Sequence, residues 1–375
     1  MQPPAHCPAR DASRCLEGLW RTPGSADPPG CEAIPWSHHR GERKGRMGIL
    51  KQGDCADVQR VGVPRALLYY RYGTLWETFF GELGREVVLS RPTDRALMEA
   101  GEALSVDECC LASKAYLGHA ESLLGSCDAL FVPSMGNLGR RQGFCTKFQA
   151  LPDLVANTFR DRGVRVASCL ADAVEGRSSL RDAFLELGGR FGASPREAKR
   201  AWRAASHAQE RADRTAAGAQ ERLLASLEAT QGAGRPLAIL LVAHPYLAHD
   251  PYLGGSVTDA LERLGATVLY ADEADHGRAL KASFDFSDTM PWVVNRELVG
   301  AILLLHERID GIVLVSAFPC GPDSMTDDAI MRCIQGKPIL NLTIDAQSGT
   351  AGLETRIESF MDILRYQKKG GYVHG

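Results

Sequence analysis

Nothing in the 375 residues approaches the roughly 20 consecutive apolar residues that a bilayer-spanning helix needs. The N-terminus lacks the basic, then apolar, then small-residue order of a secretory signal, so a cytoplasmic protein is expected. A formal net charge of only -3 gives no electrostatic case for a nucleic-acid or membrane-surface partner. There is no close Cys-x-x-Cys pair of the kind structural zinc takes, and no P-loop or sugar-kinase-like nucleotide motif. No GxGxxG stands between a strand and a helix, and no heptad persists for three repeats. What the chain does have is a hydrophobic fraction of 45%, ample for full cores, and eleven cysteines. In a cytoplasmic chain those thiols point away from disulfides, toward metal, cluster or redox use or else plain packing.

Prolines at 3, 4, 8, 23, 28, 29 and 35 break any period near the N-terminus. Residues 1–58 therefore read as an unfolded extension, with Met47 the expected true start. From Arg60 strands alternate with helices, which implies right-handed crossovers and a parallel sheet. Strands are expected at 61–64, 86–89, 129–132 and 163–168, with helices at 74–83, 94–103 and 110–124. A first α/β domain is placed at 59–176. Residues 177–234 are rich in Ala, Arg and Glu and read as helices that bridge two domains or cover one face. A second α/β domain is placed at 235–369, with strands at 237–243, 267–270, 311–315 and 339–342 and a short tail at 370–375. Its later helices are expected from Asp327 and over 352–364. The halves echo each other: CDALFVPS and IDGIVLVSAF are both aspartate-led buried strands, each followed by a glycine-bearing loop with a cysteine.

The stretch Val106–His119, VDECCLASKAYLGH, sets Cys109 and Cys110 at the mouth of a helix, with Lys114 one turn in and Gly118-His119 after it. A helix N-terminus and a lysine four residues on both favour a thiolate. In open α/β sheets ligands gather outside the carboxyl ends of strands, where Cys110, Cys145 and Cys320 all fall on this reading. Three separated cysteines suit an iron–sulfur cluster better than zinc, and three ligands leave one iron open; inert buried thiols are the alternative. Cys127, Cys169 and Cys333 lie in or beside apolar segments and read as core.

The Glu-Cys-Cys-x-x-x-Lys-x-x-x-Gly-His pattern within Ser105–His119, PSMGN with Cys145, HPYLAHDPYL, FPCGPDSM and KPILNLTIDAQSGTAGLETRIESF together resemble the 2-hydroxyacyl-CoA dehydratase subunit and CoA-substrate-specific activase-related family. The resemblance covers Val61 to Gln367 in one order. It implies two flavodoxin-like (Rossmann-like) domains with a cluster between them, either a 4Fe-4S centre or a larger double-cubane. Cys110, Cys145 and Cys320 take the ligand places, and Cys109 is a neighbouring thiol that substitutes or sits behind them. Two departures stand out. Relatives commonly carry Cys-Phe-Pro where this chain has Leu111-Ala112 after Cys110, and Cys-Pro where Thr146 follows Cys145.

The implied chemistry is reductive. A separate ATP-dependent activator delivers one low-potential electron, which passes to an acyl-CoA thioester carbonyl; the ketyl expels a neighbouring hydroxide and the electron is recycled. A non-catalytic accessory protein and a double-cubane reductase of small molecules remain the other readings, and a homo- or heterodimer is left open. Lys114 and His119 are the catalytic candidates, each weighed against solvation or packing. Gly136, Asn137, His244, Tyr246 and Asp250 are the substrate-loop candidates, weighed against turn chemistry from Pro245 and Pro251. Arg140-Arg141 reads as an ordinary surface pair that could meet a CoA phosphate. Asp345 and Arg356 read as structural.

Overall fold

The computed structural model describes residues 54–173, 179–230, 235–346 and 350–368. Met47, the bulk of the expected extension and the 370–375 tail lie outside them. Residues 54–58 do not behave as part of an extension: Cys55 and Val58 are buried in the first core, and the Cys55 N–H donates to the Arg190 carbonyl at 2.8 Å. Two isolated apolar residues carry too little periodicity to be seen in the sequence.

The first half has strands Arg60–Val63 (β1), Glu86–Leu89 (β2), Ala129–Phe131 (β3), Ser134–Met135 (β4), Val166–Ala167 (β5) and Leu170–Ala171 (β6). Four of them form a sheet in the order β2-β1-β3-β5, every pair parallel, while β4 pairs with β6 just beyond the sheet's carboxyl end. The strand expected over 163–168 thus pairs only at Val166–Ala167. The chain then crosses to grip the glycine-rich loop through β6. Its helices are Tyr69–Glu82 (α1), Arg95–Ala103 (α2), Leu111–Ser122 (α3), Thr146–Gln149 (α4) and Leu151–Thr158 (α5). Helix α1 begins five residues before the expected Thr74.

Helix α3 is held close to α2 by two glycines. A Cβ on Gly101 would lie 2.0 Å from the Lys114 carbonyl oxygen, and one on Gly118 would lie 2.2 Å from that of Leu97. Only hydrogen at those positions lets the backbones approach this far. The approach fixes the helix that starts at Cys110.

Leu180–Arg190 (α6) and Pro195–Ala229 (α7) follow. Ser194 caps α7 in a capping box with Glu197, and Pro195 opens its first turn, where a missing N–H does no harm. The 35-residue helix spans about 50 Å at 1.5 Å per residue and touches both halves. Gln209 accepts from the Leu75 N–H (3.0 Å) in the first; Gln220 donates to the Tyr270 carbonyl (3.0 Å) in the second.

The second half runs Leu237–Ala243 (β7), Pro245–Ala248 (α8), Gly255–Arg263 (α9), Ala266–Tyr270 (β8), His276–Phe286 (α10), Val293–Leu305 (α11), Gly311–Ala317 (β9), Gly321–Cys333 (α12), Ile339–Ile344 (β10) and Thr350–Lys368 (α13). Its sheet order is β10-β9-β7-β8, again wholly parallel. Counted from the first strand of each half, both sheets read second-first-third-fourth. These are two flavodoxin-like domains on one plan. The leading aspartates explain part of the echo. Asp128 Oδ2 accepts from the Gln59 and Arg60 N–H groups (3.0 and 2.7 Å), and Asp310 Oδ2 from that of Ala238 (2.7 Å). Each clasps the start of its domain's first strand.

Candidate functional site

Cys110, Cys145 and Cys320 occupy equivalent local positions. Each is the N-cap residue of a helix, α3, α4 and α12 respectively, with extended backbone angles. Helix α12, expected from Asp327, starts six residues earlier at Gly321; Pro322 reads as a breaker but suits a first turn. The three thiols line one pocket where the first half meets the second. Its walls are largely apolar, with Leu67, Phe144, Phe148 and Trp292 among them. Two sets of backbone bonds close the joint: the Leu111 N–H donates to the Phe318 carbonyl (2.9 Å), while Gly143 exchanges bonds with Pro291 (2.8 Å) and Val293 (2.9 Å).

Burial pushes the Cys145 thiol pKa up, the N–H groups of Phe148 and Lys147 directed at its sulfur pull it down, and nearby Cys110 and Asp323 add to the rise. Burial and the Asp323 carboxylate push Cys320 far up, against one N–H bond from Asp323. Cys110 Sγ lies 3.2 Å from Ser113 Oγ. Both upward shifts favour the protonated thiol at Cys145 and Cys320, two half-buried cysteines. The N–H groups aimed at sulfur are the interactions that favour a thiolate once a cation is bound.

Behind Cys320 stands a buried polar group of which the sequence singled out only His244. Asn295 Nδ2 donates to Asp323 Oδ1 (2.9 Å), and His244 Nε2 makes an ionic contact with the same oxygen at 3.0 Å, its angle outside hydrogen-bond range. Burial pulls the His244 imidazole down, yet Asp323, with Asn295 and Asp327, more than offsets this and raises its pKa above the ordinary value. Burial likewise pushes Asp323 up, and His244, Asn295 and Cys320 together hold it below the usual carboxylate range. Asp327, buried beside the charged Asp323, is pushed up to about 7. Tyr246 packs beside His244 with ring centroids 5.3 Å apart and also lines the pocket.

The other candidates go elsewhere. Cys109 is buried and faces a second cleft, which Lys114 also lines; the lysine beside its sulfur is Lys147, with Nζ at 3.6 Å. His119 is wholly buried in α3, away from the cysteine pocket. The Arg65 N–H donates to Ser90 Oγ (2.8 Å), which lies 2.8 Å from His119 Nδ1; Nε2 lies 3.0 Å from Thr93 Oγ1. Thr93 donates onward to Asp250, which also accepts from the Tyr70 hydroxyl at 2.8 Å. The Thr93 proton is thus committed to Asp250, so Nε2 carries the imidazole hydrogen and Nδ1 accepts from Ser90. Burial lowers His119 to about 4, consistent with this neutral form. His119 and Asp250 therefore tie the two halves together. Gly136 and Asn137 build the loop before Cys145: the Phe144 N–H donates to the Gly136 carbonyl (2.8 Å), and Asn137 Oδ1 accepts from the Gly139 N–H (3.1 Å). Arg356 donates to the Asn341 carbonyl (2.6 Å).

The family model described as "CoA enzyme activase uncharacterised domain" matches residues 60–273, more than half of the chain. The chain belongs to this family. The matched span holds Cys110, Cys145 and His244, whereas Cys320 and Asp323 lie beyond it. No curated protein matches the chain. Among solved structures, it is similar to a mutant, Mn-bound periplasmic metal binding protein from Candidatus Liberibacter asiaticus: 12% identity, 82% of this chain and 98% of that one, TM-score 0.21. The C-terminal domain of glucosamine-fructose-6-phosphate aminotransferase from Francisella tularensis matches at 10% identity, 84% and 86% coverage, TM-score 0.22. Scores this low carry no argument, so the reading of this activase-related chain rests on its own geometry. Among the described residues no three His, Cys, Asp or Glu side chains lie close enough to share a single metal ion. No helix among them is long and apolar enough to cross a membrane.

Proposed function

We propose that Cys110, Cys145 and Cys320 hold an iron–sulfur cluster between the two domains, and that the protein is the CoA-ester-side component of a reductive reaction served by a separate ATP-dependent activator. The observation that carries this is the convergence of three helix-capping cysteines, from both halves, on one apolar pocket. The residues fit the group. In a cluster each thiolate binds its own iron, so the sulfurs need not share one ion's coordination sphere. The N–H groups of Lys147, Phe148 and Asp323 supply hydrogen bonds to sulfur of the kind that tune cluster potential.

Once bound, the cluster would supply one-electron chemistry, with an open iron as a Lewis acid. The chain's own residues do the rest. Leu67, Phe144, Phe148 and Trp292 keep water out. His244, its pKa raised by Asp323, presents an imidazole at the pocket wall, and the Lys147 side chain lines the same pocket while its Nζ lies beside Cys109 Sγ. The family description, which speaks of an activase, equally supports an accessory protein that keeps the site without turnover.

Anaerobic reconstitution with iron and sulfide, followed by iron and labile-sulfide assays and EPR of the reduced protein, tests the reading. About four irons per chain are expected, lost in Cys110→Ala, Cys145→Ala and Cys320→Ala. About eight would point to the double-cubane reductase. No iron in the wild-type chain leaves the accessory reading. Iron without turnover on any acyl-CoA, given a reductant, also favours the accessory protein.

A further inference from the structure

Arg296 is the largest wholly buried side chain of the described residues, yet no carboxylate among them lies within ion-pair distance, Asp288 acting on it only from farther off. Its Nε donates to the Met290 carbonyl (2.8 Å), its Nη1 to Ser283 Oγ (3.1 Å), and its guanidinium lies 4.1 Å from the Phe284 ring centroid. Nη2 is buried with no hydrogen-bond partner among the described residues. Two neutral acceptors compensate poorly for burying a guanidinium, and an apolar residue often serves stability as well or better. The reason for an arginine lies in what it grips.

Met290 ends a turn in which Ser287 Oγ accepts from the Thr289 and Met290 N–H groups (3.2 and 3.1 Å). The next residue, Pro291, presents the carbonyl that receives the Gly143 N–H, and the Val293 N–H returns a bond to the Gly143 carbonyl. Gly143 stands two residues before Cys145, and a Cβ there would lie 3.2 Å from the Pro291 oxygen. The guanidinium therefore fixes a segment of the second domain that fastens the Cys145 loop of the first.

We infer that Arg296 is a positioning residue: through Met290–Val293 and Gly143 it sets where the Cys145 thiol stands relative to Cys110 and Cys320. The inference deepens the cluster reading and rests on those three thiols acting together. Methionine at 296 fills the volume but leaves the Met290 carbonyl without its donor. Lysine reaches one acceptor where arginine's fork reaches two.

The test is alkylation of the iron-free, full-length protein under anaerobic conditions, with each cysteine's rate read by peptide mass spectrometry. Arg296→Met is expected to speed modification of Cys145 roughly tenfold through local opening, while Cys127 and Cys333 keep their rates. Arg296→Lys should fall between the two. Gly143→Ala perturbs the same contact without touching the guanidinium and should also speed Cys145. Combined with Arg296→Met it should add little, because both act through one contact. An unchanged Cys145 rate, an equal rise at Cys127, or fully additive effects would overturn the inference. If wild-type protein takes up no iron while Cys145 still responds selectively, the cluster reading fails and the positioning role stands. Iron uptake with an unresponsive Cys145 does the opposite: the cluster stands and the positioning role fails.

Discussion

The strand that leads toward the site has three residues in the first half (β3) and seven in the second (β9), although both hold the third place in sheets of the same order. The short strand of the first half gives way to β4 and to the loop that carries Cys145, while Cys110 comes from the start of α3, ahead of that strand. The long strand of the second half delivers one thiol backed by the buried His244–Asp323–Asn295 group. Duplicate topology has thus been put to unequal use. One half offers thiols on loops that must be held; the other offers a rigid polar wall and the residue, Arg296, that does the holding.

The largest expected effect strikes the first half's helix pair. Gly118→Ala forces a Cβ onto the Leu97 carbonyl and should cost about 3 kcal/mol in urea unfolding, since backbone cannot give way as a side-chain tip can. A loss under about 1 kcal/mol would mean that α2 and α3 can slide apart. The tie between the halves comes next, and its sign is set by His119. Its folded-state pKa of about 4 lies below the ordinary 6.5, so its contribution is complete above pH 6.5 and is lost as pH falls toward 4. The loss should reach up to roughly 3 kcal/mol, and His119→Asn should flatten the stability profile across that window. A wild-type profile already flat between pH 6.5 and 4 contradicts the buried neutral imidazole.

The two aspartate clasps allow a direct comparison of the halves. Asp310→Ala should cost about 2 kcal/mol by removing a charge-assisted bond to the start of β7 together with the ion pairs to Arg235 and Lys368. Asp128→Ala, at a solvent-exposed clasp, should cost less despite removing two bonds. Equal losses would show that exposure does not weaken the first clasp. The smallest effect is expected at Thr146, the first residue of its helix, where the N–H groups reaching Cys145 come from Lys147 and Phe148. Thr146→Pro should change stability by no more than about 0.5 kcal/mol, because proline is tolerated in a first turn. The departure from proline after Cys145 is therefore expected to leave that thiol in place, as Pro322 in the first turn after Cys320 illustrates from the opposite side.

Much of this was legible in the residue order. Continuous apolar runs such as Leu237–Ala243 announce buried parallel strands. The aspartates ahead of β3 and β9 announce the repeat, and Cys110 and Cys145 stand where helices were expected to begin, whereas the helix after Cys320 starts earlier than its sequence suggests. The buried polar residues were not legible. Asn295, Arg296 and Glu297 sit in a helix where polar residues ordinarily face water, and only packing from distant segments buries them. His119 and Asp250 looked like site residues from their motifs, yet they join the halves through Thr93 and Tyr70.

Residue order alone specifies the two parallel α/β halves and two cysteines, Cys110 and Cys145, at helix starts, because strand burial, capping and turn chemistry are local. It took the packing of the folded chain to bring Cys110, Cys145 and Cys320 into one pocket, to leave Cys109 out of it, and to set Lys147 rather than Lys114 beside that spare thiol. Those outcomes depend on packing between segments well separated in the chain, within the first domain for Cys109 and Lys147 and between domains for Cys320, and such contacts leave no period or spacing in the sequence.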